Sequence, residues 1–160
     1  MSDSPAPLQN TDEGVRQLVV AIDASAEAGR VISTAARLVR PFPEAVVHLA
    51  HVFRVSRFDR ARVGVPPPEG DALAEAKDYL ESQARSLRRQ CRNQVVSHLP
   101  VGDPTGEVLN LAESFHADLL VVGTNDHIGF ERLLLGSIAE TLMRKAPCSV
   151  VVVRRPHYRR

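Results

Sequence analysis

A chain of 160 residues with 44% hydrophobic and 24% charged residues has the composition of one globular domain, which excludes disorder, collagen and coiled coil for its bulk. Lys+Arg 20 against Asp+Glu 19 leaves a formal net charge of +1, so no global field draws the chain to nucleic acid or to an anionic membrane. Aromatics at 4% with no Trp offer no base-stacking platform, and Cys91 and Cys148 stand in neither a disulfide framework nor a metal-ligand spacing.

The opening stretch to Gly14 is polar and lacks the apolar segment of a secretory signal. Residues 1–16 read as a flexible tail, 17–154 as one domain and 155–160 as a basic tail. Cytoplasmic residence is the expectation. The first apolar run is Leu18–Ile22. A helical stripe of Ala28, Ile32, Ala35, Leu38 and Val39 follows, with Ser25 expected as its N-cap. Next come the run Ala45–Val52 and then an irregular stretch, Arg54–Gly70, with four arginines and Pro66-Pro67-Pro68. That stretch reads as a solvated loop, the alternative being a flap over a ligand. Leu73, Ala76, Leu80, Ala84 and Leu87 form a second helical stripe behind Asp71. The run Gln94–Val101 leads to a third helix carrying Val108, Leu111, Ala112 and Phe115, with Asp103 as N-cap and Pro104 at its first position. After Asp118–Val122, a fourth helix carries Ile138, Leu142 and Met143. Ser137 and Glu140 are spaced as a capping box there, and Pro147 is the stop. The last run is Ser149–Val153, too short to cross a bilayer, as is every other apolar run.

Near-continuous apolar strands alternating with helices predict an α/β fold: a doubly wound parallel sheet with helices on both faces. Ligands of such sheets bind beyond the carboxyl ends of the strands. Those ends read Ile22-Asp23-Ala24-Ser25 after the first strand and Val122-Gly123-Thr124-Asn125-Asp126-His127-Ile128-Gly129 after the fourth, with Gly136-Ser137 opening the last helix. Small residues at a helix N-terminus let backbone N–H groups approach a phosphate. Neither GxxxxGK[ST] nor GxGxxG occurs. His48 and His51, three apart in a strand, face opposite sides and cannot be a ligand pair. His127 sits in the glycine loop. Arginines at 88, 89 and 92 could lower the pKa of Cys91, while Cys148 reads as a small buried apolar residue. No Ser/His/Asp set, carboxylate pair or metal cluster assembles at the strand ends, which argues against efficient catalysis.

The segment GTNDHIGFERLLLGS from Gly123 to Ser137, followed by IAETLMRKAPCSVVVVR, resembles the carboxyl-terminal signature of the universal stress protein family. The pieces VVAIDASAEAGRVISTAARL, HLAHV and VGDPTGEVLNLAESFHADLLVVGT resemble other parts of that family, so the likeness spans about Gln17 to Arg154. It implies a Rossmann-like, five-stranded sheet of order 3-2-1-4-5 and a homodimer joined through Ser149–Val153. It also implies, for one branch, ATP bound by the pattern G-x2-G-x9-G-[ST]. Carried over, Asp23 lies by the ribose with Ala21 beside it, and the backbone of Val52 meets the adenine edge. Val122 and Gly123 open the phosphate loop, Gly129 lies within it, and Gly136, Ser137 and Ile138 hold phosphates.

Asp126 stands where that pattern has its second glycine. A carboxylate 4 Å from a phosphate charge costs about 1 kcal/mol in water and about 4 kcal/mol at an effective dielectric of 20. Mg²⁺ arriving with ATP would reverse that sign. The sequence therefore supports a stress-response regulatory dimer that binds ATP and acts on a protein partner of unknown identity. Its alternative is an interaction dimer without nucleotide; a slow ATPase ranks below both.

Overall fold

The computed structural model describes residues 14–54, 71–124 and 136–155. Of the expected tails, residues 1–13 and 156–160 lie outside the described residues, as do the stretch 55–70 and Asp126, His127 and Gly129. The elements in chain order are β1 (Gln17–Ile22), α1 (Ala28–Val39), β2 (Val46–His51), β3 (Phe53–Arg54), α2 (Asp71–Arg88), β4 (Gln94–His98), β5 (Val101–Gly102), α3 (Pro104–Ser114), β6 (Leu119–Gly123), α4 (Ser137–Lys145) and β7 (Ser149–Val153).

The main sheet has the order β4-β2-β1-β6-β7 and every pairing in it is parallel. Counting only its five strands, this is 3-2-1-4-5, as the resemblance implied. Alternation of side chains sends Leu18, Val20 and Ile22 of β1 to one face and Val19 to the other. The first face is closed by α1 and α2 through Val31, Ile32, Ala35, Val39, Leu80, Ala84 and Leu87. The second is closed by α3 and α4 through Val108, Ala112, Ala139 and Leu142. Leu18, Val19, Val20, Val47, Leu49, Leu120 and Val121 are wholly buried, which explains why the central strands read as unbroken apolar runs.

Two helix starts depart from the expectation. The N-cap of α1 is Glu27, which makes no side-chain cap bond. Ser25 instead forms a turn two residues earlier: its Oγ accepts from Glu27 N and its carbonyl from Ala28 N. In α4 the N-cap is Gly136, Ser137 is already helical, and no described side chain caps the end. The capping box fails because Gly136 takes the cap position, which puts Ser137 and Glu140 one residue too far in; Glu140 pairs with Arg144 one turn on, at 2.7 Å. Asp103 does cap α3, accepting from Gly106 N at 3.0 Å, with Pro104 at the first position. At the other end of α3, His116 takes a left-handed φ of 49°. Ala117 N then bonds Ala112 O and His116 N bonds Glu113 O, the paired bonds of a Schellman stop.

The run expected from Gln94 to Val101 splits in two. β4 ends at His98, and β5 leaves the main sheet to pair with β3 (Phe53↔Val101, Arg54↔Gly102). This short ladder carries the chain after β2 across the carboxyl end of the sheet. His48 and His51 do face opposite sides: His48 stacks on Phe115, and His51 meets Tyr79 edge-on. Both cysteines are half-buried. Burial raises the Cys91 thiol pKa, contrary to the lowering that its neighbouring arginines suggested. No helix among the described residues is long and apolar enough to cross a membrane.

Candidate functional site

In the order β4-β2-β1-β6-β7, the winding reverses between β1 and β6. Their carboxyl ends diverge there, because the chain leaves β1 toward one face of the sheet and β6 toward the other, and a crevice is left between. A cavity of about 720 Å³ occupies it. Ala21, Ile22 and Asp23 enter it from β1, His51, Val52 and Phe53 from the end of β2, and Val122, Gly123 and Thr124 from β6. Pro104 and Val108 of α3 and Ile138, Ala139 and Leu142 of α4 form the apolar wall on one side. The first half of α2 forms the other through Ala72, Glu75, Ala76 and Tyr79, at i, i+3, i+4 and i+7 spacing.

Small residues make the room. A Cβ on Gly123 would stand 3.1 Å from Cγ2 of Val31, so α1 packs against the end of β6 as closely as glycine permits. Ala21 and Ala24 add little bulk beside it.

Asp23 is held on both its side chain and its backbone carbonyl. Its Oδ1 accepts from Ser25 N at 3.1 Å and from Ser25 Oγ at 2.5 Å. Its carbonyl accepts from the Tyr79 hydroxyl at 2.6 Å. The preceding carbonyl, that of Ile22, is 3.2 Å from His51 Nδ1, so this ring nitrogen carries the proton. Burial, with the Asp23 charge added to it, raises the Tyr79 pKa, so the phenol stays a donor through the neutral range. Glu27 lies at the rim. The bond from Arg155 holds its carboxyl below the usual carboxylate range, and Arg30 at 3.3 Å adds to this. Among the described residues no group of three or more His, Cys, Asp or Glu could hold a metal ion.

Of the residues expected at the site, Ala21, Asp23, Val52, Val122, Gly123 and Ile138 line this one cavity. Gly136 and Ser137 immediately precede Ile138 at the start of α4. Asp126 and Gly129 lie outside the described residues. Sequence reasoning missed Tyr79, His51, Glu75 and Arg54. A second stripe on α2 (72, 75, 76, 79), offset from its core stripe, was the available signal for two of them.

Comparison with known proteins gives one consistent answer. A model of the universal stress protein family matches residues 14–154. A universal stress protein of Methanocaldococcus jannaschii is 29% identical over 155 residues, covering 93% of this chain and 88% of that protein. Among solved structures, a universal stress protein in complex with cAMP aligns with a TM-score of 0.69 at 20% identity, over 89% of this chain and 98% of the other. The universal stress protein from Archaeoglobus fulgidus in complex with dAMP aligns with a TM-score of 0.65 at 22% identity, over 88% and 98%.

Proposed function

We propose that this chain, which belongs to the universal stress protein family, is a nucleotide-responsive regulatory protein that binds an adenine nucleotide in the crevice between β1 and β6. The observation that carries the reading is the convergence of six sequence-expected residues on one cavity of about 720 Å³, a size that suits a nucleotide. Two structural neighbours bound to cAMP and dAMP support the ligand class.

The parts of the cavity match the parts of such a ligand. The apolar side, with the backbone of Val52, takes the base. Asp23 offers a carboxylate to ribose hydroxyls; Ser25 engages Oδ1, and no described residue donates to Oδ2. Phosphate would lie toward Gly123 and the start of α4. That helix end suits an anion because its N-cap is a glycine and Ser137 does not take its first N–H groups. The failure of the expected capping box thus favours the phosphate reading. Mg²⁺ would enter only with ATP, as counter-ion to its phosphates.

The nucleotide changes the surface that a protein partner meets, and the protein works in the cytoplasm as a homodimer through β7. β7 stands at the edge of the sheet with three half-buried valines, Val150, Val151 and Val152, and no proline or lysine to block pairing. Antiparallel pairing with a second copy would close by two-fold symmetry.

A specific residue supports a second reading, a dimer without nucleotide: Asp126 adds negative charge to the phosphate loop. Calorimetric titration of ATP, with and without Mg²⁺, into wild type, Asp126→Gly and Asp126→Asn separates the two. The nucleotide reading predicts that Asp126→Gly gains at least about tenfold in metal-free ATP affinity, roughly 1.4 kcal/mol, with part of that gain in Asp126→Asn. If neither variant binds ATP better than wild type, the nucleotide-free dimer becomes the better reading.

A further inference from the structure

The turn after β1 is braced from three directions. Tyr79, on α2 and 56 residues away in sequence, donates its hydroxyl to the Asp23 carbonyl at 2.6 Å. His51, at the end of β2, holds the Ile22 carbonyl at 3.2 Å. The two rings support each other edge-on, with centroids 5.2 Å apart. Ser25 holds Oδ1 of the Asp23 side chain by both its N–H and its hydroxyl. Two consecutive backbone carbonyls are therefore fixed by two other elements, and one carboxylate oxygen by Ser25 within the turn itself. A helix core would need none of this, because the anchors of α2 in the core are Leu80, Ala84 and Leu87. Tyr79 is half-buried, lines the cavity and spends its single O–H on the turn that carries Asp23.

We propose that Tyr79 is a positioning residue that sets the Asp23 carboxylate for the vicinal hydroxyls of a ribose, so that the site distinguishes ribonucleotides from nucleotides lacking both hydroxyls. The inference rests on the nucleotide reading above and adds Tyr79 as the residue that aims the carboxylate. A carboxylate accepting from a 2′,3′-diol makes charge-assisted bonds, which are strong only in good geometry. Loss of the hydroxyl in Tyr79→Phe frees the Asp23 carbonyl and lets the turn rotate, while the ring and its packing stay. The Asp23 carboxylate keeps its charge but loses its aim.

The experiment is a calorimetric or competition titration of AMP and 2′,3′-dideoxy-AMP into wild type, Tyr79→Phe and Ser25→Ala, with a urea melt of each. Wild type should prefer AMP by at least about tenfold, the size expected for hydrogen bonds to a charged group. Tyr79→Phe should lose most of that preference through weaker AMP binding, with dideoxy-AMP affinity kept within about twofold. Ser25→Ala removes the hydroxyl bond to Oδ1, leaves the backbone N–H bond and α2 untouched, and should show a smaller loss of the same selective kind, which keeps the idea testable if Tyr79→Phe folds poorly. An equal loss for both ligands would make Tyr79 a wall of the pocket and overturn the proposal, as would an unchanged preference. If wild type binds neither nucleotide, the nucleotide reading itself falls and the positioning role with it. If wild type binds both equally, the site binds nucleotide but Tyr79 does not set sugar recognition.

Discussion

Lowering the pH should weaken the fold through His48, and the size of the effect follows from its surroundings. His48 lies mid-strand in β2 and is 4% exposed. Its Nε2 is 2.8 Å from Gln17 Oε1 and its Nδ1 is 2.9 Å from His98 Nε2. Gln17 Oε1 only accepts, so His48 Nε2 carries the proton and Nδ1 accepts from His98. The ring stacks on Phe115 at 3.8 Å. A second proton would have to sit between the two histidines in a dry pocket. Burial, reinforced by the neighbouring His98, pushes the pKa of His48 down to about 4 from 6.5. Above pH 6.5 neither the folded nor the unfolded state binds this proton, and stability is flat. Between 6.5 and 4 the unfolded chain takes the proton and the folded one does not, so stability falls with pH by up to about 1.4 kcal/mol per unit. From pH 7 to pH 5 the loss due to His48 is about 2 kcal/mol. Urea unfolding followed by circular dichroism at both pH values, in wild type and in His48→Phe, measures it. Wild type should lose about 2 kcal/mol more than the variant between the two pH values. Equal losses in both would refute the reasoning, whatever the absolute stability of the variant.

Three further outcomes are expected. Asn93→Ala should destabilise by about 2–3 kcal/mol in urea melts, because the buried Nδ2 of Asn93 serves the carbonyls of Phe42 and Ala45 at 2.7 and 3.0 Å. His116→Gly should stabilise by about 0.5–1 kcal/mol in the same assay, since a left-handed φ of 49° strains any residue with a Cβ. Val151→Lys should shift sedimentation or light scattering toward monomer at low micromolar concentration; a monomeric wild type there would remove the dimer from the account.

The sheet was legible because its strands are buried on both faces: apolar runs such as Leu18–Ile22 and Leu119–Val122 have no competing reading. Asp103-Pro104 was legible because the cap acts within one turn. The starts of α1 and α4 were not, since Ser25 and Ser137 satisfy the capping pattern but competing local partners take the side chains: Asp23 engages the Ser25 hydroxyl, and Arg144 engages Glu140. β3 and β5 were hidden for a similar reason: a two-residue ladder has no periodicity to read. At the site, Asp23 and Gly123 were visible as strand-end residues, and the family resemblance named Val52 and Ile138. Tyr79 and His51 were not, because their roles come from bonds to backbone carbonyls distant in sequence.

The central claim is that adenine nucleotide enters the crevice between β1 and β6. A titration of AMP into ¹⁵N-labelled protein, followed by amide chemical shifts, tests it residue by residue. The account predicts saturable shifts concentrated on Asp23, Val52, Gly123 and Ile138, all of which line that cavity. Amides that stay unmoved at millimolar AMP, or shifts gathered away from these strand ends, would contradict it.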